Sequence, residues 1–136
     1  MRVLVADSHS HYRDSFVAHL ERRGHRTLAL DTGMEVLEHL QEAQVLVLDV
    51  DLPDTDGVHL CELVRQVSAV PIVTMTSAAT ELDHIMCLTA GADDSVSKPV
   101  TVRELEARVN AVTRRYVVRG EPGPAWPSVT RPAGHT

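Results

Sequence analysis

The chain has 136 residues, 43% hydrophobic and 24% charged, the size and balance of one globular domain that buries about two thirds of its unfolded surface. No apolar run approaches the roughly 18 residues of a membrane span, and Met1-Arg2 leads straight into a strand-like segment, unlike a signal peptide. A net charge of −6 argues against nonspecific nucleic-acid binding by this segment itself.

Residues 2–6 (RVLVA) are an apolar run of strand length, followed at once by Asp7 and Ser8. Residues 12–23 carry Phe16, Val17 and Leu20 at helical spacing, and Gly24 supplies a stop. A second strand is predicted over 26–30 and a second helix over 34–40, with Val36, Leu37 and Leu40 on one side. Residues 45–48 form an unbroken apolar strand running into Asp49. The turn-rich stretch 52–57 then leads to a helix over 58–67 with Leu60, Leu63, Val64 and Val67 at helical spacing. Pro71 opens a fourth strand at 72–75. A helix over 81–90 closes at Gly91, a short fifth strand follows at 95–97, and a last helix covers 101–115. Thr101 and Glu104 have the spacing of a capping box.

Five strands alternating with five helices, several strands apolar throughout, predict an α/β fold with a parallel sheet covered on both faces. The domain is expected over 1–116. Residues 117–136 hold four of the seven prolines and three of the seven glycines, the composition of a linker or tail. Cys61 and Cys87 lie far apart in helical patterns, so they read as reduced core thiols of a cytoplasmic protein and not as a disulfide or zinc framework. Met75 and Met86 are likewise expected in the core.

Ligands of an open parallel sheet gather at the carboxyl ends of its strands. There the sequence places Asp7 and Ser8, Asp49 with Asp51 two residues on, Thr76 and Ser77, and Lys98, the only lysine among thirteen basic residues. Carboxylates from neighbouring strands repel unless a hard cation lies between them, and Mg²⁺ takes one or two carboxylates plus water and phosphate oxygens. An ammonium and a hydroxyl across the site suit the oxygens of a transferred phosphoryl group, and a carboxylate can serve as the nucleophile. Asp54 and Asp56 taken singly read as turn or cap residues.

Three segments carry a family resemblance. Asp49-Val50-Asp51-Leu52-Pro53-Asp54-Thr55-Asp56-Gly57 resembles the D-x-x-L-P-x-x-D-G segment of bacterial response-regulator receiver domains, and Pro71-Ile72-Val73-Thr74-Met75-Thr76-Ser77 resembles their fourth strand. Gly91-Ala92-Asp93-Asp94-Ser95-Val96-Ser97-Lys98-Pro99 followed by Arg103-Glu104-Leu105-Glu106-Ala107-Arg108 resembles the corresponding stretch of the OmpR/PhoB-type subfamily. The resemblance spans residues 2 to about 115 in register. It implies a doubly wound, CheY-like (flavodoxin-like) sheet of order 2-1-3-4-5 and a cis Lys98–Pro99 peptide. It further implies Asp49 as phosphoacceptor, Thr76 as switch hydroxyl and Lys98 as phosphate-binding lysine. Asp7, Asp49 and the Asp51 carbonyl are implied as Mg²⁺ ligands.

Two positions depart from the pattern. The family has two adjacent acids after strand 1, and here the second is Ser8, which removes a full negative charge from the metal's surroundings. Phosphoryl transfer in this family relies on charge neutralisation by the metal, so phosphorylation is expected to be slow and Mg²⁺ binding weak or absent. The second departure is Ser95, where the family commonly carries an aromatic residue. Both mark an atypical receiver.

The resemblance also implies homodimerisation through helix 4, strand 5 and helix 5, with Asp93, Asp94, Glu104 and Arg108 as charged partners. His84, which replaces a usual Arg or Lys, is expected to face Glu104 of a partner copy. A histidine kinase is the implied phosphodonor, and DNA would be met only through a winged-helix domain absent from this sequence. The alternative is a phosphorylation-independent receiver, constitutively dimeric or switched by a small molecule, regulating an antibiotic gene cluster by analogy with actinomycete regulators. Asp49-Val50-Asp51 also fits the D-x-D nucleophile motif of haloacid-dehalogenase-type phosphatases. That enzyme needs an acidic pair after the lysine, whereas Asp93-Asp94 precede Lys98, so a non-enzymatic signalling role is preferred. His9 and His11 read as solvated for want of a third metal ligand, and the aspartates of 49–56 lack the terminal Glu of a calcium loop.

Overall fold

The computed structural model describes residues 1–77 and 80–114. Its elements are β1 (Arg2–Ala6), α1 (Ser10–Arg22), β2 (Arg26–Leu30), α2 (Gly33–His39), β3 (Val45–Asp49), α3 (Gly57–Val67), β4 (Ile72–Thr76), α4 (Glu81–Ala90), β5 (Asp94–Ser97) and α5 (Val102–Arg114). The expected linker at 117–136 lies outside the described residues. All four strand pairings are parallel, as the strand pattern predicts, and their order β2-β1-β3-β4-β5 is the one the family resemblance implies. A single 3-10 turn, Leu40–Glu42, extends α2 beyond its expected end.

Strand periodicity divides the core in two. In β1 and β3, Val3, Val5, Val45 and Val47 point to one side, where they pack with Phe16, Val17 and Leu20 of α1 and Leu105, Val109 and Val112 of α5. Leu4, Ala6, Leu46 and Leu48 point to the other, against Val36, Leu60, Cys61, Val64 and Cys87. A side-chain period of two makes such a sheet apolar on both faces, which is why its strands read as unbroken hydrophobic runs. Both cysteines and Met75 are buried as expected. Met86 is not: it is 46% exposed on α4, beside Leu82 and Ile85, because the short helix turns only Cys87 fully into the core.

Caps fix where the helices start, and so where the loops carrying the site can run. Asp56 accepts the Val58 amide at α3, and Asp54 accepts the amides of Gly33 and Met34 at α2, giving both carboxylates the cap roles expected. Thr101 accepts the Glu104 amide at 3.1 Å. A reciprocal capping box closes instead at Thr80 and Asp83 of α4. Gly91 ends α4 with φ +123°, and a Cβ there would also collide with the Arg65 side chain, so glycine is required twice over.

Candidate functional site

The sheet brings Asp7, Asp49 and Lys98 together. Asp7 follows β1, Asp49 ends β3, and Lys98 follows β5, joined to Pro99 by a cis peptide. Lys98 Nζ donates to Asp7 Oδ2 at 3.1 Å and to Asp49 Oδ2 at 3.0 Å, and both carboxylates have 0% exposure. Each carboxylate also accepts a backbone amide, His9 N on Asp7 at 2.8 Å and Asp51 N on Asp49 at 3.1 Å. Two buried like charges are thus held side by side by an ammonium and two peptide dipoles, because a buried charge must be paired.

These surroundings separate the two acids. Burial, followed by the nearby Asp49 charge, raises the Asp7 pKa against the pull of the His9 amide and Lys98. At Asp49 burial works upward too, but the Asp51 amide and Lys98 overcome it and the net shift is downward. The environment thus favours the ionised form more at Asp49 than at Asp7. Burial opposes the Lys98 charge, yet the two carboxylates outweigh it and raise the lysine's pKa.

Thr76 ends β4, buried, with its carbonyl accepting the Lys98 amide at 2.8 Å. The Ser8 side chain is exposed. The Asp51 carboxylate accepts the Ser77 hydroxyl at 2.8 Å, tying the β3 and β4 ends together at the rim. A cavity of about 350 Å³ opens beside the acids, lined by His9, Tyr12, Ser77, Lys98 and Pro99. The Tyr12 hydroxyl donates to the Val100 carbonyl at 2.7 Å, and its ring centroid lies 5.7 Å from Lys98 Nζ.

Two residues of the site were not expected from sequence. His9, read as solvated, keeps a 61% exposed side chain, yet its Nδ1 lies 3.1 Å from both Asp7 Oδ1 and Asp49 Oδ2. His11 stays exposed on α1. Arg13, 1% exposed, donates Nη1 to the Asp7 carbonyl at 3.1 Å and pairs with Asp31 after β2. Its only signal in sequence is a place three residues before Phe16 on the buried face of α1.

The face of α4, β5 and α5 is wired within the chain. His84 uses both ring nitrogens, Nδ1 with Ser95 Oγ at 2.6 Å and Nε2 with Ser97 Oγ at 2.9 Å; Glu104 is not among these contacts. Arg108 spans Asp94 at 3.4 Å and Glu104 at 3.6 Å. Asp93 turns toward α3, where it takes Arg65 Nη2 and the Ile72 amide, each at 2.8 Å.

Residues 3–110 match the family model described as a response regulator receiver domain. The chain is 36% identical over 115 residues to the transcriptional regulatory protein AfsQ1 of Streptomyces coelicolor, a match covering 83% of this chain and 51% of that protein. It therefore spans about half the length of the curated relatives it matches. Among solved structures, the Francisella response regulator 1452 receiver domain superposes with TM-score 0.80 at 29% identity, covering 85% of this chain and 98% of that one. The beryllofluoride-activated NtrC4 receiver domain, solved as a dimer, superposes with TM-score 0.79 at 26% identity and covers 85% and 98%. No helix among the described residues is long and apolar enough to cross a membrane.

Proposed function

This chain belongs to the response regulator receiver family, and from that premise we propose that it is the cytoplasmic signal-input domain of an OmpR/PhoB-type transcriptional regulator, with Asp49 as an inefficient phosphoacceptor. The observation that carries this is the bridge from Lys98 to both Asp49 and Asp7 at 3.0 and 3.1 Å. An ionised Asp49 oxygen attacks the phosphorus of a kinase phosphohistidine. The new O–P bond forms as the P–N bond breaks, and the imidazole leaves with the bonding pair. Lys98, already at the carboxylate, follows the charge onto a phosphoryl oxygen. Thr76 at the end of β4 is the hydroxyl assigned to another oxygen. The chain acts as a signalling module and releases no product of its own.

The donors present suit Mg²⁺ in kind, since two carboxylates converge, with the Asp51 carbonyl as the assigned third ligand. When bound, the ion neutralises the phosphoryl oxygens. Ser8 offers an exposed hydroxyl where a carboxylate would add a full charge, which weakens ion binding and slows transfer. On the distal face, Asp94, Glu104, Arg108 and His84 are the proposed dimer contacts, with Asp93 set behind them on Arg65. DNA contact belongs to a winged-helix domain beyond residues 117–136.

A second reading, phosphorylation-independent switching by a small molecule, draws on the cavity beside Lys98. A gene cluster for an antibiotic is its proposed target by analogy. Acetyl phosphate with Mg²⁺, followed by intact mass, separates the two. One phosphoryl group on the native chain and none on Asp49→Ala supports phosphotransfer. An adduct that persists in Asp49→Ala, or none on the native chain, overturns it.

A further inference from the structure

We propose that the apolar outer face of α4 is a docking surface for residues 122–127 of this same chain (PGPAWP), with the Trp126 indole as anchor. This goes beyond the signal-input reading and holds whether or not Asp49 takes a phosphoryl group. Leu82, Ile85, Met86 and Leu88 are between 46% and 62% exposed, four of the seven large apolar side chains exposed among the described residues. Their spacing of three and four sets them on one half of the helix, which turns only Cys87 fully inward. A contiguous apolar patch of this kind marks a contact surface.

Composition, path and area select the occupant. Two of the four aromatic residues, Tyr116 and Trp126, follow α5, and Trp126 is the only tryptophan of the chain, set in a stretch otherwise of linker composition. Prolines at 122, 124 and 127 bias that stretch toward the extended polyproline backbone, which lowers the ordering cost of docking. The path is short. α5 returns antiparallel to β5, so the chain leaves Arg114 at the sheet edge where α4 ends at Ala90. Both helices adjoin β5, through His84 on Ser95 and Arg108 on Asp94. The twelve residues from Arg114 to Trp126 reach up to roughly 40 Å when extended, against about 15 Å for the length of α4. Four half-exposed side chains present on the order of 300 Å² of apolar surface. That is close to the roughly 150–250 Å² one tryptophan buries and well under the roughly 800 Å² per partner of a stable dimer. Met86 adds a thioether, which suits an aromatic ring. Docked there, the segment competes with a second copy for α4, so the dimer contact proposed for the distal face has to displace it.

The test uses the full chain, in which fluorescence excited at the indole band reports on Trp126 alone. Its emission is expected to be blue-shifted and shielded from iodide relative to the same chain in urea, unchanged on dilution to concentrations where sedimentation shows a monomer. Ile85→Glu with Met86→Glu, both at exposed positions, should move the emission and the quenching to their values in urea. Leu37→Glu, on the exposed side of α2, should change neither. As a check that leaves α4 intact, Trp126→Ala should shift the Met86 methyl resonance in NMR and leave that of Met34 in place. An indole quenched equally with and without urea overturns the proposal, as does shielding that survives the α4 substitutions or a Met86 methyl that ignores Trp126→Ala. Shielding that disappears as the chain is diluted to a monomer assigns the α4 face to a second copy and overturns it as well.

Discussion

The carboxyl-end pocket and the α4–β5–α5 face use the same chemistry, acids set against bases, in opposite surroundings. In the pocket, Asp7 and Asp49 have 0% exposure and one lysine answers both at 3.0–3.1 Å. On the distal face, Arg108 is 48% and Glu104 54% exposed, and their contact stretches to 3.6 Å. Buried charges have no alternative partner, so their geometry is fixed by the strands that deliver them. Exposed charges exchange one another for water at little cost, which suits the dimer contact proposed for this face.

Breaking the pocket should therefore cost most. Lys98→Met leaves two buried carboxylates facing each other, and stability is expected to fall by about 3 kcal/mol in urea without divalent ions. Added divalent cation should restore part of it; a loss below 1 kcal/mol on the same scale would show that the carboxylates are solvated after all. Next comes the root of the distal face. Arg65 donates to the carbonyls of Gly91, Ser68 and Val70 and to Asp93. Arg65→Met should cost about 2 kcal/mol by unsatisfying several half-buried acceptors, read from the same denaturation curves.

Tyr12 sharpens the contrast through pH. Burial, aided by the charges of Asp7 and Glu104, pushes its phenol from 10 up to about 12. A folded pKa above the unfolded one stabilises fully below pH 10 and loses that contribution as pH rises through 12. Tyr12→Phe should lose about 1 kcal/mol at neutral pH with the Val100 hydrogen bond, yet decline less than the native chain in alkali. Parallel declines in urea titrations at the two pH values would remove Tyr12 from the pocket's electrostatics. The smallest effect belongs to His84→Ala, about 1 kcal/mol or less for two hydrogen bonds on a half-exposed ring. Thermal melts check it, and a larger loss would mark α4 as held by this histidine alone.

The two regions also differ in how far the sequence disclosed them. Asp7, Asp49 and Lys98 were legible because a parallel sheet sends all its strand ends to one edge, so position along the chain is enough. His9 was not, since its role depends on how a residue at the start of α1 turns its ring back over two strands. Arg13 was hidden by its charge, which reads as solvent-facing although its helical phase is that of Phe16. On β5, Ser95 and Ser97 share a face by the period of two, and only the placement of α4 shows that one imidazole reaches both. Met86 failed as a core residue for the same reason: periodicity gives the face of a helix, and packing decides how much of it is covered.

The proposed inefficiency of phosphotransfer rests on Ser8, which stands where a second acid is expected after β1. The direct measurement is the rate of phosphoryl incorporation from acetyl phosphate and Mg²⁺, followed by intact mass, in the native chain and in Ser8→Asp. Restoring the missing carboxylate should raise that rate about tenfold or more. Equal rates, or rapid and near-complete phosphorylation of the native chain, would contradict it.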